Sequence, residues 1–147
     1  MIGMKHILVP TDFAEPSDRA LGTALELARA FDSRVTLLHV WSIPNMGYAE
    51  SLTWPIEDMQ RAARTSLDAA VEAARKRYPK VEGVLREGLE WRQILEVVSD
   101  LGCDLIVMGT HGRHGLPRLV LGSVAEKVVR LSTVPVLSIG PGKEVKK

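Results

Sequence analysis

The order of patterns along this 147-residue chain predicts a single-domain α/β protein built on an open parallel sheet. Two observations carry that prediction. Short, nearly all-apolar runs rich in branched residues recur along the chain, as in strands buried on both faces. Segments with apolar residues at helical spacing fill the gaps between them. The order is β-α-β-α-β-α-β-α-β, which implies parallel strands joined by right-handed helical crossovers.

The first strand is HILVP (6–10). A helix follows between Pro16 and Phe31, with Ala20, Ala24, Leu27, Ala28 and Phe31 as its apolar stripe, and Pro16 suits a first helical position because its missing N–H costs nothing there. VTLLHV (35–40) is the second strand. SIPNMGYAESLTW (42–54) is the longest stretch without periodicity and predicts a mobile surface loop. The second helix runs from Pro55 to Tyr78 on Ile56, Met59, Ala63, Leu67, Ala70, Ala74 and Tyr78, and Pro79 ends it. VEGVLREG (81–88) alternates and is the fifth candidate strand. RQILEVVSDL is a third helix carried by Ile94, Val97, Val98 and Leu101, and DLIVMG is the strand after it. SVAEKVVRLS is the fourth helix and VPVLSI (134–139) the closing strand. Residues 1–4 and the polar tail GPGKEVKK are expected to fray.

Bulk composition narrows the function classes. Hydrophobic residues make up 46% and charged residues 25%, ordinary values for a globular domain that buries a core without staples. The formal net charge is +1, so neither nucleic acid nor an acidic membrane is expected as the partner. Cys103 is the single cysteine and precedes a buried strand with no activating acid or base beside it, which reads as structural. The start MIGMKHILVP lacks the apolar core of a secretory leader, and no apolar run approaches the roughly 20 residues of a membrane span. A soluble cytoplasmic protein is expected.

The stretch GTHGRHGLPRLVLGSV (109–124) is the most informative one. It leaves a buried strand and enters a helix, and it carries glycines at 109, 112, 115 and 122 with Ser123 after the last. Open parallel sheets bind ligands beyond the carboxyl ends of their strands, where strand order reverses. Glycines permit positive φ and close backbone approach, successive N–H groups form anion nests, and a helix start offers unpaired N–H groups and a favourable dipole. The segment reads as a phosphate cradle; turn glycines in an ordinary connection are the alternative. No G-x-x-x-x-G-K-[ST] exists, since Leu137 stands where the first glycine before GK should be, and no G-x-G-x-x-G follows the first strand.

Gly109-x-x-Gly112, nine residues, then Gly122-Ser123 matches the G-2x-G-9x-G-[ST] pattern, and the chain resembles the universal stress protein family on that signature. ILVPTDFAEPSDRAL, VTLLHV and VPVLSI are similar to that family's first, second and last strands, so the likeness covers nearly the whole chain. The resemblance implies a doubly wound, Rossmann-like, five-stranded parallel sheet in order 3-2-1-4-5 with flanking helices. It places the chain in the branch that binds ATP. The residues implied for the phosphates are Gly109, Gly112, Gly122, Ser123 and Val124, with Met108, Arg113 and Gly115 beside them. Asp12, with Pro10 and Thr11, is implied for the adenosine part, and Val40 for the adenine edge through its backbone. The resemblance further implies a homodimer paired through residues 134–139, with Val134 and Ile139 at the ends. Many relatives carry Gly-x-Pro before the third helix; this chain has Gly88-Leu89-Glu90, which predicts a changed loop rather than lost binding.

Other residues invite chemistry less. Asp12 also suits a turn or N-cap role, and Val40 a core role. His111 and His114 lack a third metal ligand, so no protein metal site is expected, and Mg²⁺ would enter only through nucleotide phosphates. His39 reads as a hydrogen-bonded core histidine. Trp41 and Trp54 suit either a lid or plain packing, and Trp91 packing. There is no Walker lysine, arginine finger or evident base, so no catalytic residue is assigned and any hydrolysis is expected to be slow. The sequence therefore predicts an ATP-binding stress-response or signalling dimer. The rivals are a slow ATPase or phosphotransferase, which the fold alone permits, and an interaction module that uses no nucleotide. A receiver-like domain phosphorylated on Asp12 ranks last, because receiver acceptors follow the third strand and Asp12 follows the first.

Overall fold

The computed structural model describes residues 3–44, 55–110 and 121–140. Nine elements alternate as β1 (His6–Pro10), α1 (Glu15–Phe31), β2 (Arg34–Trp41), α2 (Ile56–Arg75), β3 (Val81–Glu87), α3 (Glu90–Leu101), β4 (Leu105–Gly109), α4 (Ser123–Leu131) and β5 (Val136–Ile139). All strands are parallel, in the order β3-β2-β1-β4-β5. The chain starts in the middle of the sheet, walks outward through β2 to β3, returns across β1 and finishes at β4 and β5. Strand order thus reverses between β1 and β4.

Strand alternation sends side chains to two separate cores. Ile7, Val9, Val35, Leu37, Leu105 and Val107 pack under α1 and α2. Leu8, Leu38, Ile106 and Met108 pack under α3 and α4 with Ile94, Val97, Val98, Ala125 and Val128. The central strands are mostly apolar because both faces are covered, and the buried His6 and Thr36 bond each other.

Helix packing refines the expected stripes. In α1 the buried residues are Ser17, Ala20, Ala24, Leu25 and Ala28, and small alanines bring the helix close to the sheet. Phe31, expected on the stripe, is 57% exposed. It is the last helical residue before the left-handed Asp32 (φ 56°) that turns the chain into β2, so it lies past the packed face. Pro16 takes the second helical position rather than the first, because the helix opens at Glu15. In α2 the inward residues are Ala63, Leu67, Val71 and Ala74, while Ile56 is 45% exposed. The helix closes on β3 because position 83 is glycine: a Cβ there would stand 2.8 Å from Val71 Cγ2. α2 ends at Arg75, and Tyr78 lies beyond it, buried, its hydroxyl donating to Ser33 O at 2.6 Å.

Residues 134–135, expected to open the last strand, precede β5. β5 forms one edge of the sheet, and its Leu137 is 38% exposed. Of the start expected to fray, Gly3 and Met4 are described, and Met4 packs against the α1 core while its carbonyl accepts from Ser33 Oγ. Cys103 is buried, and burial pushes its thiol up to about 11, which suits the structural role expected of it.

Candidate functional site

A cavity of about 580 Å³ opens beyond the carboxyl ends of β1, β2 and β4, at the reversal of strand order. It is built from four pieces of chain.

The first is the turn after β1. Pro10, Asp12 and Phe13 line the cavity, with Ser17 from α1 behind them. Asp12 Oδ1 accepts from Ala14 N at 2.9 Å and from Ser17 Oγ at 2.8 Å, an Asx-type turn that enters α1. Thr11 Oγ1 accepts from Phe13 N at 2.9 Å. These bonds hold Phe13 in the left-handed region (φ 65°), which costs a non-glycine residue on the order of 1–2 kcal/mol. Asp12 is therefore a turn residue and a wall residue at once, and the helix N-cap is Ala14, not Asp12. Burial, and after it the charges of Asp12 and Glu15, raises the Asp18 carboxyl above its usual range, so negative charge gathers at this helix entrance.

The second piece is the end of β2. Val35 N bonds Lys80 O and Trp41 O accepts from Gly88 N, so the odd residues bond toward β3. Leu38 O accepts from Thr11 N, so the even residues bond toward β1. Pairing of β1 with β2 stops at Pro10–Leu38. Ladder alternation then directs the Val40 N–H and C=O into the cavity, a donor and an acceptor side by side. His39 Nδ1 lies 2.9 Å from Thr11 O. A carbonyl only accepts, so Nδ1 carries a proton and donates it. The ring packs on Phe13 with centroids 4.4 Å apart. His39 thus makes the hydrogen bond expected of it, but on the cavity wall rather than in the core.

The third piece joins β4 to α4. Met108, Gly109 and Thr110 line one side, and Gly122, Ser123, Val124 and Ala125 the facing side. Thr110 N donates to Ile139 O and Gly122 N to Thr110 O at 2.8 Å, which ties the helix start to the sheet. Gly109 has a packing reason to be glycine: a Cβ would meet the Pro16 backbone at 3.1 Å. Neither Gly109 nor Gly122 uses positive φ, so the conformational freedom expected of them is not what they supply. Gly122 is the N-cap, in extended conformation (φ −61°, ψ 155°), with no side-chain cap. The first N–H groups of α4 have no intrahelical acceptor, and they lie on the cavity wall at the positive end of the helix dipole.

The fourth piece is helical. Ala62, Ala63 and Ser66 of α2 give room by being small, and Glu90, the first residue of α3, adds a carboxylate. Leu89 before it has φ −74° and ψ 127°, the conformation required of a residue preceding proline. Position 90 thus puts a glutamate on the cavity wall. Trp91 packs instead in the α3–α4 core, with Lys127 Nζ 4.8 Å from its ring centroid.

Of the residues singled out in the sequence, Pro10, Asp12, Val40, Met108, Gly109, Gly122, Ser123 and Val124 meet in this cavity. Thr11 is buried and braces the turn through its hydroxyl. Gly112, Arg113 and Gly115, with His111 and His114, lie outside the described residues, as does Trp54. Trp41 lines the cavity as the last residue of β2. Phe13, Ser17, His39, Ser66 and Glu90 were missed as wall residues; position near the carboxyl end of a strand was the available signal for His39 and Phe13. Among the described residues, no group of three His, Cys, Asp or Glu could hold a metal ion, and the described wall has no lysine or arginine.

The topology defines a doubly wound α/β domain with a cavity at its switch point. The family model for the universal stress protein family matches residues 3–139. The chain belongs to that family. It is 32% identical over 143 residues to the universal stress protein MJ0531 of Methanocaldococcus jannaschii, covering 95% of this chain and 84% of that one. It is 31% identical to the universal stress protein A homolog 1 of Coxiella burnetii, covering 92% and 95%. Among solved structures, that of the M. jannaschii universal stress protein MJ0577 superposes with a TM-score of 0.71 at 29% identity, covering 98% and 99%. The universal stress protein of Archaeoglobus fulgidus in complex with dAMP superposes with a TM-score of 0.66 at 27% identity, covering 95% and 99%. No helix among the described residues is long and apolar enough to cross a membrane.

Proposed function

We propose that this chain binds an adenine nucleotide, ATP in particular, and acts as a nucleotide-dependent stress-response or signalling protein of the cytoplasm. The phosphates rest on the first turn of α4 around Gly122, Ser123 and Val124, with Mg²⁺ arriving on the phosphates. The adenosine part lies beside Pro10 and Asp12, and the adenine edge meets the Val40 N–H and C=O. Gly112, Arg113 and Gly115 complete the phosphate end in this reading.

One observation carries it: α4 begins inside the cavity on a glycine N-cap, leaving helix N–H groups for an anion. The Val40 backbone supports the base assignment, since adenine presents a donor and an acceptor on one edge. The dAMP complex of the A. fulgidus relative supports the ligand class. The open edge at β5, with Leu137 exposed, supports a homodimer paired through the last strand.

The test is the content of freshly purified protein. After denaturation, the released small molecules are separated and identified, and near-stoichiometric ATP is expected. ADP in its place would favour the ATPase reading. No released nucleotide, together with no thermal stabilisation by added ATP or ADP, would leave an interaction module. Light scattering that returns only the 16.2 kDa monomer would end the dimer assignment.

A further inference from the structure

We propose that Phe13 is the base-stacking residue of this cavity, its ring lying against the face of the planar base of the bound nucleotide. The inference rests on the adenine reading above and deepens it, since it names what meets the face of the base as well as its edge.

Backbone cost comes first. Phe13 sits at φ 65°, a region that a bulky residue enters at a cost and glycine enters freely. The turn is nevertheless locked. Phe13 N donates to Thr11 Oγ1 at 2.9 Å, and the next amide, Ala14 N, donates to Asp12 Oδ1 at 2.9 Å. A turn of this shape needs no aromatic residue. What phenylalanine adds is a ring, delivered to the cavity wall just beyond β1. Strained residues held by their surroundings gather at ligand clamps.

The ring is also braced. It packs on His39 with centroids 4.4 Å apart and planes tilted by 41°. His39 is itself fixed by the bond from Nδ1 to Thr11 O. Phe13 also packs against the core under α1 and α2, which leaves it half-buried and still bordering the cavity.

Chemistry then selects the partner. Hydrogen bonds to the Val40 backbone lie in the plane of the base, so they leave its faces to side chains. Phe13 follows Asp12 and touches His39, the neighbour of Val40, so its ring joins the turn to the strand end that the reading gives to the adenosine part. An aromatic face is apolar and carries negative quadrupole charge, which suits a base and repels phosphate. The phosphates have the α4 amides, where a helix N-terminus favours an anion.

Titration calorimetry and proton NMR of the full chain with ATP are the test. The adenine C–H resonances are expected to move upfield on binding, the ring-current signature of a base over an aromatic face. Phe13→Leu keeps apolar bulk, and Phe13→Gly suits φ 65°. Each should lower ATP affinity about tenfold and abolish the upfield shift, with thermal unfolding as the check on the fold. Unchanged affinity in both variants overturns the proposal and leaves the adenine reading standing. So does a wild-type complex without the upfield shift, a result that needs no variant. An upfield shift that survives in both variants would put the stack on His39 or Trp41, and also overturns it. A wild type that binds no nucleotide overturns both readings together.

Discussion

The two ends of the sheet are built from the same five strands and solve opposite problems. At the amino end, side chains bond the backbone around the strand starts. Asp104 Oδ2 accepts from Lys5 N and His6 N at 2.8 and 2.9 Å. His6 Nε2 meets Thr36 Oγ1 at 2.7 Å, the Tyr78 hydroxyl bonds Ser33 O, and Arg75 Nε donates to Val81 O at 2.8 Å. Arg34 pairs with Glu82 and Lys80 with Asp32 across the rim. At the carboxyl end the chain places small residues instead, Gly109, Gly122, Ala62 and Ala63, and leaves the backbone at Val40 and at the start of α4 facing a cavity. Both ends of a parallel sheet carry backbone groups that the ladder cannot use. Among the described residues, one end is bonded from within and the other borders a cavity.

That contrast breaks most readily at Gly122. Gly122→Val keeps a backbone that valine adopts (φ −61°, ψ 155°) but puts a branched side chain over the α4 amides. ATP affinity is expected to fall on the order of 100-fold with the folded state intact, as read by titration and circular dichroism. Unchanged affinity would remove α4 from the phosphate site.

At the closed end the same size of change should act on stability alone. Tyr78→Phe removes a buried hydroxyl from Ser33 O and Ala28 O and is expected to cost roughly 1–2 kcal/mol in urea unfolding, with ATP affinity unchanged. A loss of affinity there would mean that the two ends are coupled.

The smallest effect is the pH response of His6. Burial, and then the nearby Arg34, lowers its pKa below 6.5, although Glu82 and Asp104 pull the other way. The unfolded chain thus takes the proton first. The stability from neutral His6 is complete above the unfolded value and is lost as pH falls from there through the folded one. Urea midpoints measured downward from pH 7.5 should decline for the wild type and flatten for His6→Asn. A wild-type midpoint that rises as pH falls through this window would refute the assignment.

The fold was legible because its signals are local. HILVP, VTLLHV and DLIVMG cannot present a polar face, so both of their faces must be covered, and helical stripes lie between them in sequence. Boundaries were less legible. Phe31 and Ile56 continue their helical stripes in sequence yet are exposed, since a stripe does not record where the opposing sheet stops. At the site, Asp12 and the Gly122-Ser123 pair were legible from spacing. His39 was not, because a histidine in an apolar run looks the same whether its ring faces a core or a cavity. Glu90 was noticed only as a missing proline; that its carboxylate joins the wall depends on how α3 leaves β3.

By itself, then, the sequence determined the alternating elements, the buried strands and the glycine spacing that marks the family, because each depends on residues close together in the chain. Only the tertiary structure decided which distant residues share a wall. It brought Asp12, Val40, Gly109, Glu90 and Ser123 around one cavity, because β1, β2 and β4 end side by side and the helices start there. It also decided that Gly109 answers first to Pro16 and that Val40 presents its backbone. Those outcomes follow from strand register and helix packing, which place atoms from distant parts of the chain within ångströms of one another.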